Sequence, residues 1–205
     1  MEVRQAIADI AEVRDRLAAV QRFGGYSGWA SIASGGVAVG AGIVQALVAP
    51  RPLNLASQQL YLNLWLICLA AALGINYGAI LAWRTRHRDS QSRYQVRTVG
   101  MSILPAIAAG GVITAALVLH GLYTLLPGMW CATYALGLFA SRALVPPPVV
   151  VVAVVFGFIA TLLLFAPDAI ALDWWIMPLA FGGGQVAIGA IVLSERQTAP
   201  GRYPF

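Results

Sequence analysis

Between Arg22 and Glu195 the chain falls into five uncharged runs separated by short segments that carry the charges, and the runs together are long enough for six apolar helices. A bilayer core of about 30 Å takes about 20 residues of α-helix. By that measure the spans run Tyr26 to Ala49, Gln59 to Trp83, Val99 to His120, Leu122 to Ala143, Pro148 to Ala166 and Trp174 to Ser194. The third and fourth come from one run, Thr98 to Ser141, which is too long for a single crossing and must fold back as a hairpin. Glycine and proline put the break either at His120 and Gly121 or at Leu126-Pro127-Gly128. Ahead of the first span, Val3, Ala6, Ile10, Val13, Leu17 and Val20 recur at alternating intervals of three and four among charged residues, which predicts an amphipathic helix with a hinge at Phe23-Gly24-Gly25. It either lies on the bilayer surface or its own cytoplasmic loop, or forms a short heptad seam with a partner. Fewer than three heptads favour the first. Charged throughout, it is not a signal peptide. The expected organisation is thus an arm over 1–25, a transmembrane domain over 26–195 and a tail over 196–205.

Composition bears on the solvent. With 60% hydrophobic and 10% charged residues and a mean hydropathy of +0.77, most of the surface has to face lipid. Charge bears on orientation. Arg4, Arg14, Arg16 and Arg22 precede the first span; Arg84, Arg86, Arg88, Arg93 and Arg97 follow the second; Arg142 follows the fourth; Arg196 and Arg202 follow the sixth. Arg51, Asp168 and Asp173 fall on the other side. Because positively charged loops stay cytoplasmic, the expected fold is an all-α polytopic bundle of six spans with both termini cytoplasmic. The net charge of +5 then reflects orientation, with attraction to anionic lipid as a by-product and no role for nucleic acid. All thirteen basic residues are arginine, which points to a GC-rich bacterial genome. Cys68 and Cys131 both fall inside spans, so no disulfide framework is expected.

The two halves share a local pattern. Pro105 is followed after four residues by Gly110 and Gly111, and Pro178 after four by Gly183 and Gly184. With three spans per half, a duplication would make a 3+3 inverted repeat, the plan of many transporters. The alternative is chance recurrence of proline and glycine. Pro105, Gly110, Gly111 and Pro178 are the expected helix breaks. Small-residue faces at Gly36-x-x-x-Gly40, Ala70-x-x-x-Gly74-x-x-x-Gly78 and Ala106-x-x-x-Gly110-x-x-x-Thr114 predict close helix contacts, within one subunit or in a homo-oligomer. Tyr61, Trp65, Tyr123 and Trp130, with Trp29, Trp83, Trp174 and Trp175, suit the membrane interface.

Groups for chemistry are few. No charged residue falls near a span midpoint, no serine has a placed base, no nucleotide-binding loop occurs, and His87 and His120 are on opposite sides. No cofactor, metal or catalytic residue is expected. The candidate solute-binding residues are Gln185 with Gly183 and Gly184, beside a helix start disturbed by Pro178, and Asn76 and Tyr77 on another span. Alternatively Gln185 bonds Asn76 or Tyr77 and serves packing alone.

Leu126-Pro127-Gly128-Met129-Trp130, Leu136-Gly137-Leu138-Phe139-Ala140-Ser141-Arg142, Pro178-Leu179-Ala180-Phe181-Gly182-Gly183-Gly184-Gln185 and Phe23-Gly24-Gly25-Tyr26 resemble a family of uncharacterised bacterial six-span inner-membrane proteins. The resemblance implies location and span number, and no activity. Three functions remain: a small transporter or channel for a neutral or lipophilic solute; a noncatalytic accessory subunit of a respiratory, photosynthetic or transport complex; or a sensor signalling to a cytoplasmic partner.

Overall fold

A computed structural model describes residues 25–86 and 90–198, so the amphipathic arm, His87, Arg88 and the tail from residue 199 lie outside the described residues. Helix α1 spans Gly28–Val48, α2 Leu55–Arg86, α3 Ser90–Leu119, α4 Leu126–Ala140, α5 Val149–Leu164 and α6 Gly183–Thr198. A 3-10 turn, Tyr123–Leu125, leads into α4, a single helical turn, Asp168–Ala171, follows α5, and a π-helical turn, Pro178–Gly182, runs directly into α6. No strand occurs among the described residues.

Four segments are long and apolar enough to cross a membrane: Gly28–Val48, Leu55–Arg86, Val96–Leu119 and Pro178–Gln197. The six comparable spans expected from hydropathy are met at these four places. With 15 and 16 residues, α4 and α5 rise only about 22 and 24 Å, short of the hydrocarbon thickness. Their flanks explain the shortfall. Tyr123–Leu125 winds as a 3-10 turn ahead of α4, and Pro146, Pro147 and Pro148 hold back the start of α5.

Local chemistry sets several boundaries. Ser27 caps α1, its side chain accepting from Ala30 N at 3.3 Å. The hairpin breaks at His120 and Gly121, the first of the two expected places. Gly121 adopts φ +71, Leu122 N bonds Leu117 O, and Gly121 N bonds Val118 O. These paired bonds close a helix through a left-handed glycine. Leu126-Pro127-Gly128 instead starts α4, with proline in the first turn.

Three expected breaks are absent. Helix α3 continues through Pro105, Gly110 and Gly111, because one lost backbone bond costs less than opening a whole turn where water is scarce. At Pro178 the helix is widened but not interrupted: Gly183 N reaches the carbonyls of Ala180, Leu179 and Pro178. The matched proline–glycine segments therefore differ in local geometry.

The packing centres on α1, α4, α5 and α6. Helix α1 lies along α6 and α2, α4 lies along α5 and α3, and α2 and α3 barely touch. Helix α2 buries only Tyr61, Trp65 and Cys68, and no described residue of α3 is buried. The α1–α6 contact runs antiparallel through glycines seven residues apart. A Cβ on Gly28 would stand 2.7 Å from Gly189 O, one on Gly35 2.9 Å from Gly182 O, and one on Gly42 inside the Pro178 ring. Backbones this close interlock by van der Waals contact. The expected Gly36–Gly40 face is corrected: both glycines look into open space, as do Gly74 and Gly78. The third expected face is present, with Gly110 against Thr133 and Ala106 against Gly137.

The ends differ in charge. Leu144 packs with Tyr26, Ile80, Trp83, Val96 and Ile103, and Arg196 Nη2 donates to Tyr26 O at 2.8 Å. Arg84, Arg86, Arg93, Arg97, Arg142 and Arg196 therefore share one end. Arg51 stands at the other, paired with Asp173 at 2.8 Å, while Trp174 N bonds Pro50 O. Beneath this clasp the Gln45 amide is used at both ends, Nε2 donating to Leu172 O at 2.9 Å and Oε1 accepting from Trp65 Nε1 at 2.8 Å. Replacing it leaves two buried groups unpaired, each costing about 1–3 kcal/mol. Gln45→Leu should therefore lower the melting temperature in detergent clearly. Arg51→Ala should lower it little, since the guanidinium side is 69% exposed and such pairs contribute about 1 kcal/mol or less. Equal melting temperatures for the two variants would contradict this ranking.

A buried polar cluster between α1, α4 and α6

The inner face of α1 carries Ser31, Ser34, Ala38, Ala41 and Gln45, all buried. Three of these five side chains are polar and uncharged, which is expensive in an apolar bundle unless each finds a partner. Ser34 does: its hydroxyl donates to Ala30 O and accepts from Asn76 Nδ2 at 2.7 Å. Gln45 does, as described above. Ser31 does not, although it is fully buried.

Ser31 stands apart from the other hydroxyls of the helices. Ser102, Thr114, Thr133, Ser141 and Thr161 each donate to the carbonyl one turn back, as Ser34 does. That local bond is the default for serine and threonine within a helix. Ser31 forgoes it and lies beside the Tyr26 hydroxyl, without a hydrogen bond of adequate geometry between them. Tyr26 in turn lies in electrostatic reach of Tyr134. The Tyr134 hydroxyl accepts from Gln185 Nε2 at 2.8 Å, and Gln185 Oε1 is buried without a partner. The cluster thus runs Ser31, Tyr26, Tyr134, Gln185, with two oxygens unsatisfied.

Apolar rings wall this cluster. Tyr134, Phe156 and Phe181 pack with centroids 4.7, 5.4 and 5.2 Å apart, edges against faces. Phe156 reaches this place because Gly184 has no side chain; a Cβ there would overlap the ring. Gly182 admits α1 on another side of α6, with Val39 against it. The glycine run thereby lets α1 and α5 close on α6 just above Gln185, whose Cβ lies 3.3 Å from where a Gly35 Cβ would be.

The residues singled out from sequence separate in space. Gln185 meets Tyr134, not Asn76 or Tyr77. Asn76 bonds Ser34 and Ala72 O, and Tyr77 is 40% exposed. Gly184 serves packing, and Gly183 faces open space. Pro178 opens the widened turn, whereas Pro105, Gly110 and Gly111 sit in continuous helix. The aromatic assignment also needs correction. Tyr61, Trp65 and Tyr123 are core residues at 0%, 4% and 3% exposure, while Trp29, Trp174 and Trp175 are exposed. Tyr61 has a third unpartnered oxygen, near Cys131, and its ring lies parallel to Trp130 at 6.3 Å. Tyr26 and Ser31 were the hard members to find: one sits at a span end and the other resembles any helical serine.

Comparison of the chain with protein-family profiles, with curated proteins and with solved structures returns no match.

Proposed function

We propose that this is a bacterial inner-membrane protein of six spans, with both ends cytoplasmic, that passes a small neutral solute along the inner face of α1. The observation that carries the proposal is the row of buried, uncharged polar groups on that face, ending at an unpartnered Ser31 beside a helix that begins with a π turn. Uncharged hydroxyls and amides bind and release neutral solutes without the desolvation cost of a buried ion. Widened or broken helical turns beside a polar site recur in transporters. Six of the seven described arginines share one end and Arg51 alone among them stands at the other, which supports the orientation.

Stopped-flow light scattering on proteoliposomes tests it. Urea, acetamide or glycerol should enter vesicles holding the folded protein faster than protein-free vesicles, while sodium chloride entry is unchanged. Equal rates for all three solutes would sink transport.

The accessory-subunit alternative is favoured by α2, whose Ala70, Gly74 and Gly78 face outward into open space. There a Gly74→Leu substitution should leave the melting temperature of the isolated protein unchanged. It should also release any chain that copurifies in fixed stoichiometry from native membrane. A destabilised monomer would instead place Gly74 in an internal contact.

A further inference from the structure

We infer that Ser31, Tyr26, Tyr134 and Gln185 form a binding site for a small neutral molecule that carries hydrogen-bond donor and acceptor together, of which a carboxamide or a urea is the simplest kind. The inference deepens the transport proposal and depends on it only for what binding accomplishes. Three observations converge. Ser31 Oγ is fully buried and, unlike Ser34, Ser102, Thr114 and Ser141, forgoes the helix carbonyl one turn back. Gln185 Oε1 is buried without a partner on the other side of the same cluster. Tyr26, beside Ser31, and Tyr134, fixed by the Gln185 amide at 2.8 Å, lie within electrostatic reach of each other between the two.

The deficit survives the choice of amide orientation. With Nε2 toward Tyr134, an acceptor is left over; with Oε1 toward Tyr134, two N–H donors are left over. In either case a complement is missing at one end of Gln185 and again at Ser31. A ligand with both a donor and an acceptor satisfies either arrangement, whereas an ion satisfies neither side well. No acidic or basic side chain is among these four residues, so a charged ligand would lack its counter-charge. The rings of Phe156 and Phe181 beside Tyr134 offer a planar amide apolar surface to lie on.

The test uses the full chain in nanodiscs with carbon-13 in its tyrosine rings, and acetamide as the probe. Tyr134 is the reporter because it remains in every variant needed, and its signals are assigned by their loss in Tyr134→Phe. Acetamide should shift them saturably at millimolar concentration, the affinity expected of so small a ligand. Ser31→Ala and Gln185→Leu should each weaken the response at least about tenfold, the factor that corresponds to losing one well-made hydrogen bond, while keeping a cooperative thermal transition. Tetramethylammonium chloride should not compete. Absence of a saturable shift, as when a single structural water fills the cluster, would overturn the site. So would an unchanged response in both variants. Flux and binding separate the two proposals: binding without flux removes transport and keeps the site, and flux that survives in both variants keeps transport and removes the site.

Discussion

Gly42→Leu should destabilise the protein sharply, whereas Gly36→Leu on the same helix should fold and melt as the wild type does. The two glycines differ only in the direction they face. A Cβ at Gly42 would penetrate the Pro178 ring, with Pro178 Cβ and Cδ at 3.0 and 3.2 Å, and a Cβ at Gly36 would meet nothing within 4 Å. Pro178 cannot step aside as a flexible side chain would. Its ring is rigid and it begins the π turn that feeds α6, so relief requires moving α6 away from α1. Overpacking typically costs about 1–3 kcal/mol, and here the same shift would also loosen the contacts of Gly28 and Gly35. Against a total stability of about 5–15 kcal/mol, that removes a large share of the margin and lowers the melting temperature sharply. Size-exclusion profiles and melting temperatures in mild detergent read both variants. The reverse order, with Gly36 sensitive and Gly42 tolerant, would mean that α1 is rotated from the face described.

Gln185→Leu should abolish solute flux, by about tenfold or more, with only a modest loss of stability. Leucine fills a similar volume and preserves the helix. It leaves the Tyr134 hydroxyl without its donor, at a cost of about 1–3 kcal/mol. The effect on flux is larger because the substitution removes the group that would bind solute. Tyr134→Phe should fall between the two, since Gln185 then loses its anchor and keeps its amide. Measured as vesicle uptake, normal flux in Gln185→Leu would remove Gln185 from the pathway.

The helical body was legible from charge and hydropathy because lipid-facing helices announce themselves by length, and four of them reach membrane-spanning length. Gly121 was legible as a hairpin because a left-handed residue with no Cβ penalty closes a helix so effectively. Which face of each helix turns inward was harder. Gly36 and Gly40 form the familiar four-residue stripe, but the true contact follows Gly28, Gly35 and Gly42 against Gly189, Gly182 and Pro178. Glycines seven apart on both helices keep one seam facing an antiparallel partner over its length, and that double spacing was present in the sequence. Tyr61 and Trp65 read as interface aromatics because hydropathy reports depth along a span and says nothing of lateral order. For the same reason hydropathy leaves Asn76 or Tyr77 open as partners of Gln185, while α1 stands beside α2 and takes Asn76 for Ser34. Pro105 and Pro178 look alike in sequence. Pro178 alone lies at the start of its helix, where turns rearrange with fewer bonds to lose.

Ser31 is fully buried and Gly36 faces outward, so the proposed solute path requires that water and solute reach Ser31 transiently during transport. In a background with Cys68 and Cys131 replaced, the measurement is the rate at which a membrane-impermeant methanethiosulfonate reagent modifies Ser31→Cys and Gly36→Cys in reconstituted protein. Ser31→Cys should react faster than Gly36→Cys, and acetamide should slow it. An inert Ser31→Cys, or equal rates unaffected by solute, would contradict the proposed path.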